Sequence, residues 1–401
     1  VSKIPKRIIM EINFEKLFKI SLIAMKISRS HHDIPRDKKW LLEAGIMFAA
    51  YTMTACALTY SLVVAMEDSN YAEACTHGIL CVVYFYISIA YIILVINRET
   101  ITKLTKLMTE DYKKDLTHDE KMIVLDYAKK GSNVCTQWLF VTLITGGAYP
   151  FKHLVMEIYL YITGEFELLM LYPLNFPSPI EEIKMHPFIY TLAYATMTYY
   201  GIYSSLTYIS FTPLGPAFML HACGQLEIIK IRASQLFTDN EEKKVKVKMV
   251  KIVKHLQYVY DFVEDVNGIF RLLYELTLKG SSVIDEYDYE PPFTLFQSLK
   301  SGVLSIELLN FLFAGTLISS SPCYYSDMLM EKGEDARFAI YSCGWEKVYN
   351  HGARTTMLIV LQRALRPTCI RTMFRIVCLD ALTDMFQLTY ALFNLMNVAW
   401  G

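Results

Sequence analysis

Four stretches of this chain, residues 44–66, 78–97, 131–151 and 186–226, contain no Asp, Glu, Lys or Arg. Each is about as long as, or longer than, the roughly 20 apolar residues that cross a bilayer as a helix. A fifth, 308–326, extends back to Ser301 across Glu307, and the chain from about Ile376 onward makes another. With 53% hydrophobic and 20% charged residues, the excess of apolar content over a soluble domain is concentrated in these blocks. The chain therefore reads as an all-α, polytopic membrane protein. The fourth block is longer than a bilayer and carries Pro213 and Pro216, so it is expected to continue as helix or loop into the aqueous phase.

Charge in the connectors adds one more span and a direction. Ten Lys and Arg precede the first block, eight lie in 98–130 and eight in 227–254; by contrast 67–77 has none, 162–185 has only Lys184, and the four-acid stretch "DEYDYEPP" at 285–292 has none. Short basic connectors stay on the cytoplasmic side. Alternation then requires a crossing between Lys254 and Asp285, which selects 268–284 despite Arg271, Glu275 and Lys279 within it. Such charges must be shielded from lipid by neighbouring helices. Arg354, Arg363, Arg366, Arg371 and Arg375 place the last connector inside. Seven transmembrane helices follow, with a cytoplasmic N-terminus and an extracellular C-terminus. The expected organisation is an N-terminal cytoplasmic region (1–40), helices 1–4 (41–215), a cytoplasmic extension and anchor region (216–267), helices 5–6 (268–326), a second anchor region (327–375) and helix 7 (376–401).

Several function classes lack support. The nine Cys show no C-x-x-C or metal-like spacing, and several lie in apolar runs where Cys is a small hydrophobe. No phosphate-binding, dinucleotide, zinc-protease or nucleophile-elbow motif is present. The reading is not an enzyme, with no cofactor, metal or nucleic-acid partner. His31 and His32 sit in a basic tail and read as surface residues. No cleavable signal peptide is expected. The block "DNEEKKVKVKMVKIVKH" at 239–255 reads as a solvated helix start, with attraction to anionic lipid or an assembly contact as alternatives.

Aromatic stripes suggest where a ligand could sit. Cys81, Tyr84, Phe85 and Ser88 share a face of the second helix, Tyr190, Tyr194 and Met197 one of the fourth, and Tyr274, Thr277 and Ser281 one of the fifth. Gly146, Gly147 and Pro150 are expected to interrupt the third helix and leave room beside it. Interhelical packing explains these stripes as well as an apolar pocket with a few hydroxyls, suited to a small volatile ligand, would.

The terminal segment "LTDMFQLTYALFNLMNVAWG" is polar for a membrane helix. Asp380, Asp384, Gln387, Tyr390, Asn394 and Asn397 recur every three or four residues and form one helical stripe. Hydrogen-bonding groups facing lipid would be unsatisfied, so the stripe must face protein or water. Interhelical hydrogen bonding in one bundle is one solution. The other is a water-filled path around a symmetry axis, in which amides outside and acids inside suit a weakly selective cation path.

The stretch "RPTCIRTMFRIVCLDALTDMFQLTYALFNL" at 366–395, with Leu379, Asp380, Thr383, Tyr390 and Phe393, resembles the carboxyl-terminal signature of the insect odorant receptors. "MEKGEDARFAIYSCGW" at 330–345, with Ala339, Tyr341 and Trp345, is similar to that family's segment before the last helix, and "HLQYVYDFVEDVNGIF" at 255–270 to its entry into the fifth. The resemblance implies a subunit of a ligand-gated, non-selective cation channel in the plasma membrane of sensory neurons. It implies a heterotetramer with an odorant co-receptor, a small volatile ligand in the outer half of helices two to six, and a pore lined by the last helix. On that resemblance the gate falls on Phe393, with Met396 and Asn397 one turn outward and Asn394 on the wet outer side, and Gln387 and Tyr390 join the pore; the family's pocket is compatible with the faces that carry Cys81, Tyr84, Phe85, Ser88, Gly147, Pro150, Tyr190, Tyr194, Met197, Tyr274, Thr277 and Ser281. The chain departs from the family at Arg371–Thr372–Met373 and at "IDEYDYEPP". Phe393 and a short segment before the fifth span resemble an odorant-tuned subunit rather than the co-receptor. A gustatory-type channel that assembles without the co-receptor is the alternative; a transporter lacks the internal repeats it would need.

Overall fold

The computed structural model of the chain describes residues 17–31, 33–114, 116–164, 169–172, 174–237, 241–279, 306–347 and 351–400. Among these the regular structure is helical, apart from one isolated bridge between Arg371 and Ile376. The long helices are α1 (Lys19–Ile27), α2 (Lys38–Glu67), α3 (Tyr71–Ile96), α4 (Arg98–Lys113), α5 (His118–Thr163), α6 (Pro187–Phe211), α7 (Leu214–Ser234), α8 (Glu242–Lys279), α9 (Ile306–Tyr341), α10 (His351–Ala364) and α11 (Leu379–Trp400). The seven segments expected to span lie on α2, α3, α5, α6, α8, α9 and α11. Among the described residues, α2 and α3 alone are long and apolar enough to pass as membrane helices on composition. In α5 and α6 the spanning parts carry no charge, but Tyr, Thr, Ser and Gly dilute their apolarity.

Helix ends follow local chemistry. Asp37 caps α2 by accepting from the Trp40 amide, and Thr117 and Glu120 form a reciprocal capping box at the start of α5. At its other end α5 stops at Gly164, whose φ of 78° lies in the left-handed region open to glycine. Its 46 residues extend roughly 70 Å at 1.5 Å per residue, far beyond a bilayer core, so one end stands in water. The expected interruption at Gly146, Gly147 and Pro150 does not occur: α5 runs through all three. Pro150 lacks the N–H that would bond the Gly146 carbonyl, and the adjacent Thr145 carbonyl accepts from Asn310 Nδ2 of α9 at 2.9 Å. Gly146 serves close approach instead, since a Cβ there would stand 2.8 Å from Ser205 Oγ of α6.

The long fourth block does divide as its prolines suggest. Helix α6 ends at Phe211 and α7 resumes at Leu214. From there α7 is buried on nearly every side, against α5, α8 and α9. This basic end of the molecule forms the larger core, including Phe218, Leu220, Ile229, Phe262 and Phe270, with α1 and α4 packed on it. Gly215 is required where α7 meets α8, because a Cβ would lie 2.0 Å from Tyr274 Oη and 3.5 Å from the Phe270 ring. Gly215→Ala is expected to lower the thermal midpoint of the detergent-purified protein, at a cost of about 1–3 kcal/mol for overpacking. Tyr274→Phe in the same chain removes the clashing oxygen and should restore most of it.

Polar contacts lock the basic end from within. Asp111 of α4, 2% exposed, accepts from Tyr258 Oη of α8 at 2.6 Å and pairs with His221 Nε2 of α7 at 2.9 Å. Lys114 completes its shell at 2.5 Å. Burial alone would raise the Asp111 carboxyl; the His221 hydrogen bond and charge, with Lys114 and Tyr258, hold it at about 2 instead. Nearby, His255 Nε2 contacts Gln225 Oε1 at 2.8 Å, and Arg232 pairs with Glu120 at 2.6 Å. Burial, then the Arg232 charge, pushes His255 down to about 4.

The charges in 268–279 find specific places. Glu275, 7% exposed, pairs with Lys279 at 3.0 Å and accepts the Met373 amide at 2.9 Å, while Arg271 is exposed. The connector before α11 is thereby pinned to α8, and Asn267 Oδ1 and Ser326 Oγ hold the Arg371 and Ile370 amides at 2.8 and 3.1 Å. At the departure Arg371–Thr372–Met373 the turn closes on Thr372, whose Oγ1 accepts the Arg375 amide at 3.0 Å.

Candidate functional site

At the end away from the basic connectors, α2, α3 and α6 enclose a second core rich in tyrosine. Tyr51 of α2 is its centre: its ring stacks on Tyr200 at 4.8 Å and contacts Tyr203 at 4.7 Å and Tyr84 at 5.2 Å. The hydroxyls find partners at the edges. Tyr200 donates to the Leu80 carbonyl at 2.6 Å, Tyr51 meets Ser204 Oγ at 3.1 Å, and Tyr84 meets Thr52 Oγ1 at 3.2 Å. Tyrosine suits this role because the ring supplies contact area while the hydroxyl fixes orientation.

The connector between α5 and α6 folds into this core rather than lying over it. Leu171, Tyr172 and Leu174 are 7%, 4% and 5% exposed, and Tyr172 stands edge-on to Tyr200 and to Tyr149 of α5. Ser61 of α2 anchors the segment, accepting the Asn175 amide at 2.8 Å. His153 Nε2 and Tyr190 Oη both contact the Leu169 carbonyl, at 2.8 and 2.9 Å.

The residues proposed from sequence fall into separate places. Cys81 and Met197 are buried in the tyrosine core, and Tyr84 and Tyr194 pack on it. Tyr190 stacks on Tyr194 at 6.1 Å, and His153 lies 5.6 Å from the same ring. Ser88 is 8% exposed on α3, and its hydroxyl has no protein partner. The same holds for Thr54 on α2 and Thr207 on α6. Phe85 is 62% exposed, although its ring meets Tyr84 edge-on. Gly147 opens onto empty space and Pro150 is exposed. Tyr274 belongs to the other core, stacked on Phe270, and Thr277 bonds its own helix at the Leu273 carbonyl. Ser281 lies outside the described residues. Tyr51, Tyr172, Tyr200, Tyr203 and His153 join the site without having been singled out from sequence. Tyr200 and Tyr203 continue the face of Met197 by three and six residues, a signal that extending the stripe would have caught.

Helix α11 packs on α9 and α8, with Ala381 and Leu382 buried, and its described side chains from Thr383 on are exposed or half-buried. Asp380, Asp384, Gln387, Tyr390 and Asn394 are all exposed, Tyr390 at 68%. Arg375 Nη1 reaches Asp384 at 3.4 Å. Phe393, Met396 and Asn397 lie on the helix, but their side chains are outside the described residues.

A tyrosine-rich core enclosed by charge-free helices of bilayer length, together with an exposed polar terminal helix, is the build of a polytopic membrane bundle rather than of a soluble helical domain. The chain belongs to the 7tm odorant receptor family, whose profile matches residues 70–284 and 293–390. No curated protein sequence matches it. Among solved structures it is similar to the insect olfactory receptor OR5 from Machilis hrabei in complex with eugenol, with a TM-score of 0.72 and 16% identity over 96% of this chain and 98% of that one. The same receptor described without eugenol gives 0.71 and 15%, over 95% and 97%. At that identity the likeness speaks for the fold: a seven-helix membrane protein.

Proposed function

We propose that this odorant receptor is the ligand-tuned subunit of a cation channel, with the N-terminus and basic end in the cytoplasm and the C-terminus outside, assembled with a co-receptor in a heterotetramer in the plasma membrane of a sensory neuron. The observation that carries the reading is the exposure of the α11 stripe. Within this chain Asp384, Gln387, Tyr390 and Asn394 face away from the bundle, and lipid cannot satisfy them. The alternative, hydrogen bonding inside the same bundle, gives Asp384 the Arg375 guanidinium but leaves Gln387, Tyr390 and Asn394 exposed. Copies of the helix from neighbouring subunits, around a wet axis, supply what the stripe needs, and Asp380 and Asp384 near the inner mouth favour cations.

The ligand is a small volatile held by the tyrosine core, with Cys81, Tyr84, Tyr194 and Met197 as contacts and the Ser88, Thr54 and Thr207 hydroxyls as spare hydrogen-bonding groups. Phe85, Gly147, Pro150 and Thr277 join only if the site extends toward α8. The receptor of the same fold described with eugenol, a small aromatic volatile, supports this class of ligand. Co-expressed with a co-receptor, the chain is expected to give volatile-evoked inward current. Tyr84→Ala is expected to shift the half-maximal volatile concentration by roughly tenfold, the scale of one lost aromatic contact. Surface-assembled protein without current from any volatile in a broad panel would count against the reading.

A further inference from the structure

Several cations at the basic end are neutralised at close range: Lys103 by Asp265 at 2.6 Å, Lys230 by Asp335 at 2.9 Å and Arg232 by Glu120 at 2.6 Å. One group differs. Arg271 of α8, Arg363 of α10, and Arg366 and Arg371 of the connector line a cavity of about 350 Å³ between these elements. Among the described residues none of the four forms an ion pair with a carboxylate. Arg363 lies over the Tyr260 ring at 4.3 Å. Arg371 reaches only the Cys369 sulfur and the Pro367 carbonyl, at 3.5 and 3.4 Å. Glu264 is the one acid in the lining, so four guanidiniums face a single carboxylate across the cavity.

The shape is as informative as the charge. The α8 lining runs from Tyr260 to Arg271, roughly 16 Å along the helix at 1.5 Å per residue. That length accommodates several anionic groups in a row. Guanidinium forks match phosphate oxygens two at a time, whereas lysines act as point charges. A pocket with four arginines and no lysine in its lining is therefore better suited to phosphates than to a diffuse counter-ion cloud.

We propose that this cavity binds a polyphosphate group, either the headgroup of a polyphosphorylated lipid or a soluble polyphosphate. Its walls join α8, α10 and the connector that leads into α11, so an occupant ties the last helix to the rest of the chain. The connector already depends on α8 for its fixing points at Asn267 and Glu275. An anion drawing Arg366 and Arg371 toward Arg271 reinforces the same attachment.

The test uses the full chain purified as it assembles in cells. Probes are short-chain phosphatidylinositol bisphosphate, inositol hexakisphosphate, inorganic phosphate, and phosphatidylcholine vesicles with and without phosphatidylinositol bisphosphate. Thermal stabilisation and direct binding are read for each. Both polyphosphates are expected to bind at least tenfold more tightly than inorganic phosphate if the soluble source is correct; binding confined to the inositol lipid assigns a headgroup. Arg271→Gln with Arg366→Gln is expected to weaken binding by roughly tenfold or more, on the scale of a lost charge-assisted bond. Glu264→Gln is expected to strengthen it by a few-fold, the worth of one exposed like-for-unlike charge change. A gain of affinity is not something misfolding produces, so the two variants together separate recognition from damage. The proposal is overturned if no polyphosphate binds in preference to inorganic phosphate, if the double variant binds as the parent does, or if Glu264→Gln leaves affinity unchanged.

Discussion

Asp111→Ala is expected to cost about 3–5 kcal/mol, the scale of breaking a buried ion pair by removing one partner, and to cut the amount of chain that survives detergent extraction as a single species. Asp111 is where α4, α7 and α8 converge, through His221 and Tyr258, each within 2.9 Å of its carboxylate. Without it the ring nitrogen of His221, 5% exposed, loses its carboxylate partner and the Tyr258 hydroxyl loses its acceptor. Asp111→Asn keeps the shape and one acceptor oxygen, so it should cost less. The same region sets the acid limit of stability. His255 is held at about 4, below its ordinary 6.5, so an unfolded chain binds a proton that the folded chain refuses between those values. Its contribution is present above pH 6.5 and is lost as pH falls toward 4, by roughly 1–3 kcal/mol after allowing for partial exposure. The depressed Asp111 carboxyl loses its contribution only lower, as pH falls through the carboxylate range toward 2. Thermal midpoints measured from pH 7 to 4 should fall for the parent and fall less for His255→Gln.

The second large effect belongs to the tyrosine core. Tyr200 is 1% exposed, stacked on Tyr51, in edge contact with Tyr172, and bonded to the Leu80 carbonyl. Tyr200→Ala should cost about 3–5 kcal/mol, as buried aromatic truncations do when the site cannot collapse. In a bilayer the loss comes from packing rather than from water, because lipid is as apolar as the core itself. Tyr200→Phe keeps the ring and forfeits one hydrogen bond, about 0.5–1.5 kcal/mol. If the core also receives the ligand, Tyr200→Phe should leave surface delivery intact and still change the rank order of active volatiles.

The sequence was informative about some of this and silent about the rest for identifiable reasons. Charge-free blocks and uneven connectors located the helices because they report the bilayer directly. The terminal stripe was readable for the same reason: its three- and four-residue spacing implies a helix face, whatever that face meets. Pro150 misled, because a proline's effect depends on the neighbours that donate to carbonyls in the turn before it, and one such donor, Asn310 of α9, stands 165 residues from the Thr145 carbonyl it bonds. Tyr51 and Tyr172 were not legible either. A single tyrosine on an apolar helix and one in an outer connector acquire their role only when α2, α3 and α6 close around them. Tyr274 shows the converse: it lies on α8 as expected, yet Gly215 lets α7 approach it and draws it to the basic end. Of the four arginines around the α8–α10 cavity, Arg363, Arg366 and Arg371 read as topology signals and Arg271 as a charge within a span until the fold placed them together with Glu264 as the one acid in the lining.

The account turns on whether the stripe of α11 lines a conducting path. Cysteine placed at Asn394, in channels assembled with the co-receptor and opened by an active volatile, tests this with a charged, membrane-impermeant thiol reagent applied from outside. The evoked current should fall within seconds of reagent addition, and a cysteine at Leu388, roughly 120° around the same helix from Asn394, should give no change. Current through Asn394→Cys channels that is indifferent to the reagent, or equal block at both positions, would contradict a pore built on this helix.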